Sequence, residues 1–380
     1  MLARMLLAAE GLVRGTKEVV PEQVTQVLVL EYRLPLGCLV HMTPVFEAMR
    51  LGRPEIEVTV ATRGLGLQVL RHSRFVDHLI ETPDTTADLM GAVRGLRKQL
   101  RARGIRPDCV LTGASDQRTR IALMGMLGSG GWRGGYTLKP ELYQRPLAYD
   151  AGLSLIRNNL RLAKLIGCEA DVTQPRVFFS QSDMVTAKGL LREANPEGRP
   201  VVVMVTQNSG GQNTGWHTDR FVRVIDDAAR VSGFAVVYVG TAGDAAAVEA
   251  IRAAAGGVGT SIAGKTTVSE LAAVLALSDY AVTLDTGTMH VGRAAGVPMV
   301  VLGPSWQKPL EWIPLGVANV RILRGEDRVG VPEGYRLDEI SAEQVIAALG
   351  ELVEAYPASA GARETRLLAG LSEIDHLAGR

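Results

Sequence analysis

Short, uniformly apolar runs alternate with segments of helical period, and the alternation occurs twice along the chain. Residues 27–30 read Val-Leu-Val-Leu, a buried strand, and 40–51 follow as a helix. Residues 57–62 give a second, β-branched strand and 76–81 a third. Apolar positions at helical spacing fill 88–103, and 108–112 is the next strand. Continuous apolar strands separated by helices imply a parallel sheet covered on both faces. The rhythm restarts with the valines of 200–206. A helix over 221–231, a strand over 234–240, a helix over 268–277 and strands over 280–284 and 297–302 follow. The expected fold is therefore α/β, with two Rossmann-like domains facing each other across a cleft.

The length of 380 residues suits two such domains. Asn195-Pro196 and Gly198, between Pro175 and Pro200, mark the boundary region. The expected division is 1–175, 176–345 and a helical tail over 346–380, broken at Tyr356-Pro357. Lys and Arg number 41 against 40 Asp and Glu, so overall charge gives no reason to expect nucleic acid as a partner. Cys38, Cys109 and Cys168 are far apart and form no C-x-x-C pair, which fits a reducing cytoplasm. No apolar run reaches the roughly 18 residues of a membrane span. The first 24 residues are read as an amphipathic helix packed on the protein, with peripheral membrane contact as the alternative.

The most informative loop is Asp285-Thr286-Gly287-Thr288-Met289-His290, where a strand ends and a helix begins. Ligands of open α/β sheets bind at that end of the strand, and a helix N-terminus is an anion site. Plain helix capping by Asp285 or Thr286 has equal weight when the loop is taken alone. A second polar, glycine-rich loop, 207–216, follows the valine strand and carries Ser209, Gly210, Thr214 and Trp216. Gly264-Lys265-Thr266 and Gly303-Pro304-Ser305 are further candidates. In the first half, Arg118 and Arg120 follow the 108–112 strand and suit an anionic acceptor, with a solvated helix start as the competing reading. There is no Walker A pattern, no dinucleotide fingerprint, no Asp-x-Asp pair and no metal-ligand spacing of histidines, so no metal site is expected.

These residues together resemble glycosyltransferase family 9, the bacterial ADP-heptose:lipopolysaccharide heptosyltransferases of GT-B fold. The likeness runs from about Val27 to Gly316. It is carried by Asp285-Thr286-Gly287 with Met289-His290, by Ala263-Gly264-Lys265-Thr266, by Gly303-Pro304 and by Trp312-Ile313-Pro314-Leu315-Gly316. Residues 37–44 match the family's first loop, and 132–136 its R-x-G-Y element. The resemblance implies a nucleotide-sugar donor, ADP-heptose-like, bound by the second half through Ser209, Gly210, Thr214, Trp216, Lys265, Thr266, Asp285, Thr286, Gly287, Met289 and His290. It implies a glycan, lipid-linked or small-molecule acceptor on the first half, near Arg33, Arg118 and Arg120, and no cofactor. The expected place is the cytoplasm, with the inner face of the membrane as the alternative.

Two departures stand out. Cys38 occupies the place of the family's Asp, the proposed general base, and Thr214 that of a Lys facing the diphosphate. A thiol is mostly protonated at neutral pH. His41, about one turn along, is the nearest replacement, so His41, Cys38 and Asp285 are the candidate catalytic residues. Lys265, Arg293 and Lys308 are candidates for the missing cation. The leading expectation is an inverting, metal-independent transferase. A family member that binds nucleotide sugar without transferring it, and a nucleotide-sugar 2-epimerase, are the alternatives.

Overall fold

The computed structural model describes residues 20–32, 35–208 and 215–378. Most of the amino-terminal segment expected as an amphipathic helix, and the site candidates Arg33, Ser209, Gly210 and Thr214, lie outside the described residues. The chain forms two compact units. The first takes the described residues up to Pro175 together with the segment from Ile374 onward, and the second is Arg176–Glu373.

The first unit runs β1 (Gln26–Leu30), α1 (Leu36–Gly52), β2 (Glu57–Thr62), α2 (Leu65–Leu70), β3 (His78–Glu81), α3 (Leu89–Ala102), β4 (Cys109–Thr112), α4 (Thr119–Gly128), β5 (Trp132–Tyr136), β6 (Arg145–Leu147) and α5 (Leu155–Lys164). Its strands are all parallel, in the order β3-β2-β1-β4-β5-β6. Leu28, Leu30 and Tyr32 of the β1 region pack with α3 and α4 residues on one face. The other face takes α1 and α5, which pack together.

The second unit runs α6 (Gln181–Ala194), β7 (Val201–Val205), α7 (Thr218–Asp226), β8 (Ala235–Tyr238), α8 (Ala245–Ala254), β9 (Thr260–Ser261), α9 (Val268–Leu277), β10 (Tyr280–Leu284), α10 (Gly287–Ala295), β11 (Met299–Leu302), α11 (Pro309–Trp312), β12 (Val320–Leu323), α12 (Ala342–Ala355) and α13 (Ala360–Gly370). The strands are again all parallel, in the order β12-β11-β10-β7-β8-β9. Val345, Leu349 and Leu352 of α12 join the main core, and α13 packs on α9. The helices expected as a carboxyl-terminal tail are thus part of this unit.

Several expectations need correction. The 175–200 region contains α6, which starts at a capping box: Ser180 Oγ accepts from Asp183 N–H while Asp183 accepts from Ser180 N–H. The first-half helix begins at Leu36 rather than 40, so Gly37 and Cys38 lie in its first turn. Strands β5, β6, β9 and β12 extend both sheets beyond the expected ones. β5 contains Gly134-Gly135, and a Cβ on Gly135 would stand 2.3 Å from the Thr112 carbonyl oxygen, so the close pairing with β4 requires a glycine there.

Candidate active site

In a doubly wound sheet, a crevice forms at the carboxyl edge where connections from two neighbouring strands leave in opposite directions. In the second unit that point lies between β7, which leads outward to β8, and β10, which leads the other way to β11. Thr283 pairs with Val205. Two residues beyond that pair stand Asp285 and Gln207, at matching places past the two strand ends.

Asp285 is 4% exposed, and its N–H donates to the Leu302 carbonyl at 3.2 Å, tying the end of β10 to β11. Burial pushes its carboxyl up to about 6. Thr286 caps α10, its Oγ1 accepting from the Thr288 N–H at 3.1 Å. Gly287 and Thr288 are partly exposed, whereas Met289 and His290 are buried. The free N–H groups and positive dipole end of α10 therefore lie beside a buried carboxyl. Burial, with Arg293 next to it, lowers His290 to about 3, so its ring is neutral at pH 7. The ring meets Trp312 edge-on, centroids 6.4 Å apart. Arg293 is itself lowered by burial, to about 10, and remains a cation at neutral pH.

Other second-half candidates are placed differently. Trp216 is a core residue, 3% exposed, in a T-shaped contact with Phe221 and donating its Nε1–H to the Ile340 carbonyl at 2.9 Å. It anchors its loop; its ring is not offered to a donor. Lys265 is exposed and Thr266 partly so, in the loop after edge strand β9. That strand is three places from β10, about 14 Å at roughly 4.8 Å per strand. Gly264 packs this loop onto the one after β8: its φ is +75° and its N–H donates to the Gly240 carbonyl at 2.9 Å. Among the described residues, no group of three His, Cys, Asp or Glu side chains comes together to hold a metal.

The corresponding point of the first unit lies between β1 and β4. Asp116, past the end of β4, is 1% exposed and accepts from Arg118 Nε and Nη2, each at 2.7 Å. Hydrogen bonding to Asp116 raises the guanidinium pKa, so Arg118 is both fixed and firmly charged. Arg120 donates Nη1 to the Thr86 carbonyl at 2.6 Å and the Thr85 carbonyl at 3.3 Å. Arg118 and Arg120 thus come from one helix start, with Arg63 nearby pairing Asp84 at 3.1 Å. Cys38 and His41 sit on the first two turns of α1, at 3% and 1% exposure. Their burial is a feature the sequence did not suggest.

Two residues there escaped the sequence reading. Glu31 directly follows β1 as a buried acid, and a Cβ on Gly113 would stand 3.0 Å from its Oε2. An acid directly after an apolar strand was the available signal. Asn159, fully buried on α5, accepts from the Ala114 N–H at 2.9 Å and donates to the His41 carbonyl at 3.3 Å. It therefore fastens α1 to the loop that carries Asp116. Its signal was an amide on the apolar face of a helix.

Two parallel six-stranded sheets with covering helices, and a buried carboxyl beside a helix start at the second switch point, define an α/β protein of the GT-B class. A model of glycosyltransferase family 9 (heptosyltransferase) matches residues 125–327, and the chain belongs to that family; it is a glycosyltransferase. No curated protein matches it. Among solved structures, the glycosyl transferase family 9 protein of Veillonella parvula superposes with a TM-score of 0.78 at 20% identity, covering 90% of this chain and 99% of that one. The Escherichia coli ADP-heptose lps heptosyltransferase II gives 0.71 at 19% identity, with 88% and 100% covered. E. coli heptosyltransferase WaaC with ADP-2-deoxy-2-fluoro heptose gives 0.64 at 17% identity, with 86% and 99% covered.

Proposed function

We propose that this glycosyltransferase inverts the anomeric centre without a metal, moving a sugar from an ADP-heptose-like nucleotide donor to an anionic glycan or lipid-linked acceptor. The observation that carries the reading is Asp285: a buried carboxyl at the switch point of the second unit, adjoining the N-terminus of α10. In this reading Asp285 orients the transferred sugar. The N–H group of Gly287, at the start of α10, with Ser209, Gly210 and Thr214, takes the diphosphate. Lys265 and Thr266, about three strands away, meet the nucleoside end. Met289 and His290 support the site from within, the neutral ring of His290 backing the helix start. Two structures of one relative, E. coli heptosyltransferase WaaC, support a nucleotide-sugar donor: one is with ADP-2-deoxy-2-fluoro heptose and the other with ADP.

On the first unit, Arg118 and Arg120, with Arg33, bind the acceptor's negative charge. The acceptor hydroxyl attacks the anomeric carbon, the bond to the diphosphate breaks with its electron pair leaving on phosphate, and the hydroxyl proton passes to a base. His41 is that base, with Cys38 one turn before it on α1 in the place of the family's carboxylate. Charge developing on the departing diphosphate is met by the dipole of α10 and nearby cations. The chain acts in the cytoplasm, at the inner face of the membrane where a lipid-linked acceptor is presented.

The burial of both Cys38 and His41 favours a second reading, in which the protein holds a nucleotide sugar without transferring it. Incubation with radiolabelled ADP-heptose and de-acylated lipopolysaccharide core separates the two. Label appearing in the acceptor supports transfer. Saturable binding with no labelled product over hours supports the second reading and overturns the first.

A further inference from the structure

Two loops flank Asp285. One leaves β11 at 303–307 and the other enters α7 through 215–217, and their strands lie on opposite sides of β10. Both make contacts with one short segment, 335–340, between β12 and α12; the first is also held by Arg324, whose Nη2 donates to the Pro304, Ser305 and Gln307 carbonyls at 3.3–3.4 Å. At one end the Tyr335 hydroxyl lies 3.2 Å from Ser305 Oγ, accepts from the Ser305 N–H at 3.5 Å, and donates to Glu339 Oε1 at 2.7 Å. At the other end the Ile340 carbonyl accepts from Trp216 Nε1, Arg220 donates to the Asp338 carbonyl at 2.9 Å, and Asp338 Oδ1 meets His217 Nε2.

The segment's own backbone is constrained. Leu337 has φ +52°, the one non-glycine residue in the left-handed region among those described, and it is completely buried in the core that also holds Trp216 and Tyr335. A leucine adopts that conformation only where its surroundings over-determine it. Glu339 packs against Gly325, where a Cβ would come within 2.5 Å of its Cγ, so its reach to Tyr335 depends on that glycine.

We propose that 335–340 is a brace setting the spacing of the two loops around Asp285, with Tyr335 and Glu339 as positioning residues for donor binding. The proposal rests on the reading of this edge as the donor site. Sheet pairing reaches only Val205 on one side and, on the other, the Gly303 N–H, which donates to the Leu323 carbonyl at 2.9 Å, so 304–307 and 215–217 lie beyond it. The brace joins them around β10, so a group removed at the Ser305 end is felt at the Trp216 end.

The test uses the full chain with Tyr335→Phe, Glu339→Ala and Glu339→Gln. Tyr335→Phe keeps the ring in the core, and Glu339→Gln keeps an acceptor for the hydroxyl. Hydrogen exchange is followed on peptides covering 303–307 and 215–217, and calorimetry measures binding of ADP, UDP and GDP. Tyr335→Phe and Glu339→Ala should speed exchange at both loops, leave β1 to β4 unchanged, and weaken nucleotide binding about tenfold. Glu339→Gln should restore most of both. Faster exchange confined to 303–307 overturns the brace, and so does loosening of both loops with unchanged affinity. If wild type binds none of the three nucleotides, the donor reading itself fails, and two-ended or one-ended exchange still decides whether the brace exists.

Discussion

The Asp116 carboxylate receives both Nε and Nη2 of Arg118 at 2.7 Å, a fork-to-fork pair in which the acid is buried and the arginine about one-third exposed. Such a pair fixes the direction of the guanidinium. Lysine supplies the charge but not the fork, so Arg118→Lys should raise the acceptor KM about tenfold and leave the donor KM unchanged. Asp116→Asn should do the same by releasing the arginine. Steady-state kinetics with the two substrates varied independently checks this, and an unchanged acceptor KM in both variants removes Arg118 from the acceptor site.

Asp285 gives a pH signature. A carboxyl whose folded pKa lies above its unfolded value holds its proton more tightly when folded. Its stabilising effect is therefore present at low pH and is lost as pH rises from about 4 through about 6. Between 3.8 and about 6, at 1.36 kcal/mol per pH unit, the loss is about 3 kcal/mol. Asp285→Asn removes it, so the variant should gain stability relative to wild type between pH 4 and pH 8 in urea titrations. Transfer should be lost in the same variant. A parallel pH dependence of the two proteins, or wild-type turnover in Asp285→Asn, contradicts the role given to this carboxyl.

Base catalysis contributes typically 10²–10⁴-fold. His41→Ala should therefore lower kcat by about that factor, while Cys38→Ala keeps most activity. Because His41 is buried, its melting temperature is measured alongside. A fall in stability with kcat preserved would make His41 a packing residue. Activity surviving the double variant sends the proton elsewhere, Glu31 being the nearby buried acid directly after β1.

Under the proposed reading, in which helix dipole and side-chain cations meet the leaving diphosphate, removal of divalent cations should leave nucleotide affinity within about a factor of two. A tenfold loss on adding EDTA, about 1.4 kcal/mol, restored by one added metal, overturns metal independence.

The sheets and the Asp285 loop were legible because the information is local. Val201–Val205 and Tyr280–Leu284 are apolar on both faces, and a strand that runs into Asp-Thr-Gly must turn into a helix start. What escaped depends on tertiary contact. Trp216 reads as part of a polar ligand loop, yet its indole goes to the core because Ile340, 124 residues away, offers a carbonyl there. β12 has only four residues, of which three are half-exposed, so it carries no continuous apolar signal. The helix at 181–194 is followed closely by the breakers Asn195-Pro196 and Gly198, which give the whole stretch the composition of a linker, and its local sign is the capping box of Ser180 and Asp183.

The first unit is completed by residues that follow the second. Asp375 receives Arg71 through two hydrogen bonds at 3.0 and 2.7 Å, and His376 donates its N–H to the Arg71 carbonyl. The second unit is thus an insertion within the first, and a ribosome must translate all of it before the closing residues emerge. About 200 residues at 5–20 residues per second is a delay of roughly 10–40 s. During that interval the second unit has its entire sequence in hand while the surface around Arg71 and His72 waits uncovered for its last strand of chain. Nascent chains of this enzyme should therefore gain protease resistance in Arg176–Glu373 before the segment around α2 becomes fully protected.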